Sequence, residues 1–276
     1  MNFKTAELTE LLAASDGESE RIMFLLQRGG SLAIELERLE SIGISVTTRA
    51  EPDYPARYRD RLKESAPVIL FYSGEKALLG QPGIAVVGSR HLDEAGKDCA
   101  QFVGNACGMS GLVLYSGGAK GVDSLSMTAA LDARGTAVGI LADSLERAIR
   151  NPESRAAISR GDLCLATPYS PSAPFTVGTA MARNKLIYTL ADFAIVVASD
   201  AGKGGTWAGA TEALKAKWIP VFALDHAKMP QGNGLLIEKG AARFPHPFPE
   251  RPLRLKAWLE EHSATDQASP LQPRLF

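Results

Sequence analysis

Short apolar runs alternate with helical patterns through the middle of the chain. Ile84–Val87, Leu112–Tyr115 and Phe193–Ala198 contain no charged residue, which is typical of strands buried on both faces. The segments between them have the spacing of helices, so we expect a parallel sheet covered by helices on both sides. The predicted fold class is α/β: an extended, Rossmann-like, doubly wound and mostly parallel sheet with a small N-terminal helical segment.

Three parts are predicted along the chain. Residues 1–43 form an N-terminal helical segment, because leucines and isoleucines recur at helical spacing and Gly43 follows them. Residues 44–245 form the Rossmann-like core. Residues 246–276 carry a short helix around Leu255 and Trp258 and then a flexible tail that begins at Ser263.

Charge and cysteine content exclude several classes of protein. The 276 residues include 30 basic and 31 acidic side chains, for a net charge of −1, which argues against a non-specific polyelectrolyte binder but not against a local basic pocket. The three cysteines form no C-x-x-C pair, which disfavours a disulfide framework or a metal site. With no signal peptide and no long apolar run, we expect a cytoplasmic protein that does not enter a membrane.

Ligands of doubly wound sheets bind at the carboxyl ends of the strands. Three glycine-containing loops follow predicted strands, and a fourth group of polar residues lies within a predicted helix. The candidate phosphate-binding residues are Gly88, Ser89, Arg90, Ser116, Gly117, Gly118, Lys120, Gly121, Arg183, Asn184, Lys185, Lys203, Gly204, Gly205 and Thr206.

These residue types suit an anion. Glycines leave backbone N–H groups uncovered ahead of a helix, arginine offers a bidentate fork, and lysine adds a point charge. Each group also has an ordinary explanation: a glycine turn is often only a tight connection, and Arg183–Lys185 could be a solvated helix face. None of them matches G-x-G-x-x-G or the Walker pattern, which disfavours a standard NAD site or an ATPase.

Conventional catalysis has little support. The chain has no G-x-S-x-G or H-E-x-x-H motif, and His91 is more typical of a surface loop than of a catalytic base. Cys99 and Cys107 are expected to pack in a core. We therefore predict no catalytic residue, no metal and no cofactor, and a protein that is not an enzyme.

Five motifs in order resemble the family of DNA-processing protein A, also called DprA or Smf. They are Asp53-Tyr54-Pro55, Ala85–Arg90, Ser116–Asp123, Arg183–Lys185 and Gly232–Ile237 with Gly240-Ala241. The resemblance covers about Ile44 to Ala242. It implies a single-stranded DNA-binding protein that acts in natural transformation and DNA recombination, helps to load a RecA-type recombinase and forms a homodimer.

Carried over residue by residue, the resemblance implies that Arg90, Lys120, Arg183 and Lys185 contact phosphates. The chain departs from the family at several places. Met127 stands where histidine is common, and Gly204-Gly205-Thr206 replaces a serine-glycine-serine loop. Residues 246–276 are too short for the winged helix that many members carry, so we predict a divergent member without that domain.

A second hypothesis remains open from the sequence: a nucleotide-binding sensor or a nucleotide N-glycosidase. The wider superfamily includes nucleotide phosphoribohydrolases, and Gly202–Thr206 with Glu212 loosely resembles their loop.

Few aromatic side chains are available to stack on the bases of a single strand. The candidates are Phe175 and Trp207.

The last residues of the chain suggest a partner. Gln272, Leu275 and Phe276 resemble a glutamine-x-x-leucine-phenylalanine peptide that docks on the sliding clamp. Two apolar side chains at the end of a tether can anchor in a hydrophobic pocket. A chance match to so short a pattern is the competing explanation.

Overall fold

A computed structural model of the chain describes residues 19–226 and 228–265. The predicted helical stretch before Ser19, most of the predicted tail, and the clamp motif at Gln272, Leu275 and Phe276 lie outside the described residues. The chain divides into two compact units, one ending at Val46 and the other starting at Thr47.

The described part of the first unit is mostly helical. Helix α1 covers Ser19–Gln27 and helix α2 covers Gly29–Ser41, and Gly43 follows α2 with a φ of 81°. That positive φ is the left-handed conformation in which helices commonly end, and glycine adopts it without strain. The structure thus has two helices in the described part of the segment that the leucine spacing predicted to be helical.

The remaining elements alternate as the apolar runs predicted. The strands are β1 (Ser45–Thr48), β2 (Ile69–Gly74), β3 (Gly83–Gly88), β4 (Val113–Ser116), β5 (Ala137–Ile140), β6 (Leu163–Thr167), β7 (Phe193–Ala198), β8 (Val221–Asp225) and β9 (Ala242–Pro245). The helices are α3 (Ala56–Leu62), α4 (Glu94–Ser110), α5 (Val122–Asp132), α6 (Leu145–Ala148), α7 (Pro152–Ser159), α8 (Val177–Leu190), α9 (Gly204–Ala216), α10 (Gln231–Glu238) and α11 (Leu255–Thr265).

The strands form one sheet in the order β1-β2-β6-β5-β4-β3-β7-β8-β9. From β6 to β9 along this order all neighbours are parallel, and β2 is antiparallel to β6. Every residue of β4, β5, β6 and β7 is buried, because helices cover both faces. The predicted doubly wound, mostly parallel α/β fold is confirmed.

The strand order reverses beside β3. The chain builds β3, β4, β5 and β6 in one direction and then returns to place β7 on the other side of β3. The loops after β3 and β7 therefore leave the sheet in opposite directions, which opens a crevice at their carboxyl ends.

Helix α3 was not predicted: Pro52–Pro55, directly before it, has the residues of a turn, and no helix was expected after them. Its seven residues, Ala56–Leu62, are rich in charge and too few to show a helical period. Tertiary contacts hold it in place: Arg57 donates to Asp192 Oδ1 at 2.7 Å, and Arg61 donates to the carbonyl oxygens of Thr189 and Ala191 at 3.0 and 2.6 Å. These arginines thereby satisfy carbonyls at the end of α8 that would otherwise lack a partner.

Two predicted boundaries were wrong. The residue pattern predicts a helix over Trp207–Ala216, but α9 begins at Gly204, so the glycine loop is in part the first turn of the helix. Helix α11 continues through Ser263 to Thr265, where the flexible tail was expected to start. Helix α10 and strand β9 were also not predicted.

Among the described helices, none combines the length and the apolar character that a bilayer crossing requires.

Candidate functional site

A cleft of about 400 Å³ opens at the carboxyl ends of β3 and β7, where the strand order reverses. The loop after β3, the loop after β7, helix α8 and the start of α9 form its walls. Nine predicted site residues line it: Gly88, Ser89, Arg90, Arg183, Asn184, Lys203, Gly204, Gly205 and Thr206. We call this the switch-point cleft.

The other six predicted site residues do not line the switch-point cleft: Ser116, Gly117, Gly118, Lys120, Gly121 and Lys185. Lys120 is exposed beyond the cleft, and Lys185 is half-buried. The loop after β4 therefore contributes only Ala119, with Asp123 at the start of α5, to the surface of this cleft. A contact between Lys120 or Lys185 and a longer ligand stays a prediction.

Two glycines of the loop after β4 allow cleft residues to pack closely against that loop. A Cβ on Gly117 would overlap the guanidinium of Arg183, and a Cβ on Gly121 would lie 2.5 Å from Ser89 O and 2.6 Å from Arg90 Cα. Gly121 has a φ of 91° and a ψ of −129°, a conformation that is restricted to glycine. The loop after β4 thus sets the position of Arg183 and of the Ser89-Arg90 backbone.

Arg183 lies on the floor of the cleft. The sequence did not exclude that Arg183 lies on a solvated helix face, but only 5% of the residue is exposed. Its Nε and Nη1 atoms are buried without a hydrogen-bond partner among the described residues. Burial lowers the pKa of the Arg183 guanidinium, and the negative charge of Asp123 opposes that shift. A buried cation with unpaired N–H groups favours an anion beside it.

Asp123 is a buried acid whose negative charge interacts with the positive charge of Arg183. Its Oδ2 accepts backbone N–H bonds from Gly117 at 3.1 Å and Ala119 at 3.3 Å. Burial raises the pKa of Asp123, whereas the charge of Arg183 and these hydrogen bonds act in the opposite direction. The carboxylate therefore braces the β4 loop and partly balances the cation on the cleft floor.

The first turn of α9 forms one wall. Lys203 precedes it without a side-chain cap, and Gly204, Gly205 and Thr206 all line the cleft. Asn184 Nδ2 donates to Gly205 O at 2.8 Å, which ties α8 to this turn. First-turn N–H groups have no partner inside a helix, and together with the helix dipole they attract negative charge.

The rim of the cleft is apolar. Phe175, Val177 and Met181 line it with 46%, 69% and 44% of their surface exposed. The guanidinium carbon of Arg90 lies 5.4 Å from the centre of the Phe175 ring, within the range of a cation–π contact. Phe175 was predicted as a stacking residue, whereas Val177 and Met181 were not predicted, although three large apolar residues around one helix start are a usable signal.

Two other residues raised by the sequence lie elsewhere. Trp207 is half-buried against the core, and the Lys239 ammonium lies 6.0 Å from its ring. Glu212, the acid proposed for a glycosidase, is exposed and does not line the cleft. Across the described part of the chain, no cluster of three or more His, Cys, Asp or Glu residues could hold a metal ion.

Comparison with known proteins places this cleft in a family. The family model of DNA recombination-mediator protein A matches residues 45–247, which include every residue of the cleft. The chain belongs to this family. The resemblance to DprA and Smf that the motifs predicted is therefore confirmed, and the DNA recombination-mediator match covers the whole sheet from β1 to β9.

Curated relatives match shorter or more distant stretches. DNA processing protein DprA of Streptococcus pneumoniae is 38% identical over 81 residues, which are 29% of this chain and 28% of that protein. Protein Smf of Synechocystis is 24% identical over 205 residues, or 72% of this chain and 49% of that protein. The chain thus spans about half or less of the length of these DprA and Smf relatives.

Solved DprA structures share the fold. DprA from S. pneumoniae superposes with a TM-score of 0.65 at 24% identity, covering 88% of this chain and 95% of that one. DprA from Helicobacter pylori gives 0.63 at 24% identity, covering 79% and 97%, and its structure describes a single-stranded DNA binding mode of that protein.

Proposed function

We propose that this chain binds single-stranded DNA in the switch-point cleft and acts as an accessory protein of DNA recombination, without catalysis of its own. One observation carries the proposal: the cleft combines cations and helix N–H groups with an exposed aromatic ring. The cations and the helix N–H groups suit the backbone phosphates, and the aromatic ring suits the nucleic-acid bases. Membership of the DNA recombination-mediator family supports the same conclusion.

The polar half of the cleft suits phosphates. Arg90 and Lys203 are exposed cations on opposite walls, Arg183 is a buried cation on the floor, and the first turn of α9 adds backbone N–H donors. Only Asp123 and Asp200 carry negative charge among the residues that line the cleft. The local balance is therefore positive although the whole chain has a net charge of −1.

The apolar half suits bases. Phe175 presents a half-exposed ring beside Arg90, and Val177 and Met181 extend the apolar surface. Stacking on an aromatic ring contributes about 1–3 kcal/mol per base and depends little on base identity. The cleft therefore supports binding of a flexible strand without strong sequence preference.

The partners proposed with this function are a RecA-type recombinase, a second copy of the chain and, through Gln272, Leu275 and Phe276, the sliding clamp, all in the cytoplasm. The match to a DNA recombination-mediator family supports the recombinase proposal. The homodimer proposal depends on the sequence resemblance alone, and the clamp proposal depends on the sequence pattern alone. A nucleotide-binding sensor is the outcome to be distinguished by experiment.

Titration of labelled oligo-dT with the whole chain over a salt series tests the proposal. Each phosphate that the cleft neutralises should contribute a slope of about −0.7 to log K against log salt. We expect a slope of about −2 for contact with roughly three phosphates. Tight mononucleotide binding with no strengthening by longer oligonucleotides would contradict a DNA-binding function and favour the nucleotide sensor.

Substitution of Phe175 by alanine should weaken oligonucleotide binding by about tenfold, because a base loses its stacking surface. The salt slope should remain that of the original chain, since no cation is removed.

Arg90→Ala should instead reduce the magnitude of the salt slope by about 0.7, because one phosphate contact is lost. Leu253→Ala and Arg251→Ala, at exposed positions outside the cleft, are the matched controls, and equal losses in these variants would rule out a specific role for the rim.

A further inference from the structure

A fully buried asparagine connects α10 to the strand ends behind the cleft. Asn233 lies in the first turn of α10 and has no exposed surface. Its Oδ1 accepts the backbone N–H of Ser199 at 2.8 Å, and its Nδ2 donates to Val197 O at 3.1 Å and Leu224 O at 2.9 Å. One carboxamide thus satisfies backbone groups at the ends of both β7 and β8.

The path from this carboxamide to the cleft is short. Ser199 begins the loop Ser199–Lys203, which we call the Lys203 loop, and Ala198, Asp200 and Lys203 line the cleft. A Cβ on the neighbouring Gly232 would overlap the carbonyl of Ser199, so the start of α10 and the Lys203 loop are in close backbone contact. Gly202 then turns the loop into α9 with a φ of 70°.

We infer that Asn233 is a positioning residue, whose carboxamide fixes the Lys203 loop and the start of α9 in the arrangement that binds the ligand. The inference rests on the proposed function for its binding readout. Asn233 itself does not line the cleft, so any effect on binding must pass through the loop.

The chemistry of the contact makes the carboxamide hard to replace. The three partners are one N–H donor and two carbonyl acceptors, so the side chain must accept on one side and donate on the other. Aspartate has nearly the same shape, but its carboxylate only accepts, and it would direct a charged oxygen at two buried carbonyls. A protonated aspartate carries one O–H and can donate to one of them again.

This difference gives a pH signature for Asn233→Asp. Burial against carbonyls raises the pKa of the introduced carboxyl, so its protonated form returns as the pH falls from about 8 to about 5. We expect Asn233→Asp to bind oligo-dT about tenfold more weakly than the original chain at about pH 8 and to regain much of the loss at about pH 5. Asn105→Asp adds the same charge at an exposed position of α4 and should show neither the loss nor the recovery.

A second variant covers the case in which the aspartate variant fails to fold. Asn233→Ala removes the contacts without burying a charge. We expect it to retain the helical far-ultraviolet spectrum, to bind about tenfold more weakly, and to exchange amide hydrogens faster in residues 199–206 while α4 and α5 keep their protection. Wild-type affinity in a folded Asn233→Ala, or unchanged exchange in 199–206, would overturn the inference.

The exchange measurement needs no DNA, so the two proposals fail in different ways. If the unaltered chain does not bind oligo-dT, DNA binding is wrong, and the exchange of residues 199–206 still decides whether Asn233 holds the Lys203 loop. If the unaltered chain binds and both Asn233 variants bind equally well at about pH 8, the positioning role is wrong and DNA binding stands.

Discussion

The Arg183→Met variant is expected to lose about 3 kcal/mol of unfolding free energy at neutral pH. Methionine fills most of the volume of the arginine stem but leaves the buried carboxylate of Asp123 without the cation that offsets its burial. An uncompensated buried charge is among the few features that give so large an effect from one substitution. Urea unfolding followed by circular dichroism measures it.

The loss should depend on pH in a defined direction. Burial raises the pKa of Asp123 above its ordinary value of 3.8 in the folded state, so the folded state holds its proton more tightly than the unfolded chain. Stability from this group therefore falls as the pH rises above about 4. Removal of Arg183 raises the same pKa further, so the destabilisation should be smaller near pH 4 than at neutral pH.

The double variant Arg183→Met with Asp123→Asn tests the cause. Asparagine removes the buried charge and can still accept the N–H groups of Gly117 and Ala119. We expect the double variant to be more stable at neutral pH than Arg183→Met alone and to lose its pH dependence. A double variant whose losses simply add would show that the two charges do not interact.

The Gly121→Ala variant should lose about 3 kcal/mol of stability and most of its oligonucleotide binding. The added Cβ would lie 2.5 Å from Ser89 O and 2.6 Å from Arg90 Cα, and both are backbone atoms that cannot turn away. The backbone at Gly121, with a φ of 91° and a ψ of −129°, adds strain. The Arg90 backbone must therefore move, and its guanidinium with it.

Gly111→Ala is the control for Gly121→Ala. Gly111 ends α4 with a φ of 66°, and no atom lies within 4 Å of an added Cβ. It should lose only about 1 kcal/mol, the cost of a left-handed alanine, and keep its binding. Thermal unfolding and oligonucleotide titration of both variants would show whether a glycine-to-alanine change lowers binding only at the position that contacts the Arg90 backbone.

The sheet could be predicted because its pattern is local. Strands such as Ile84–Val87 are covered by helices on both faces, so their residues are apolar and form short runs without charge that can be recognised in the sequence. The general rule for doubly wound sheets then selected the loops after β3 and β7. Arg90, Lys203 and the neighbouring glycines could therefore be predicted as site residues without any knowledge of contacts.

The remaining details depend on contacts between distant residues. Arg183 is buried because Gly117 has no side chain to exclude it, and the sequence of α8 alone does not contain that information. Helix α9 begins with two glycines, which are poor helix formers. Asn184 holds that first turn from a different helix, so local propensity placed the start too late.

The site also draws on strands made at different times. Arg90 follows β3, whereas Lys203 follows β7, which pairs with β3 only after β4, β5 and β6 have been added to the other side. As the chain leaves the ribosome, β3 therefore keeps an open edge until β7 is complete. Such an edge is a template for pairing with other chains. A nascent chain that stops before α9 has Arg90 but lacks the wall that Lys203 and α9 provide, so competence to bind is acquired late in synthesis.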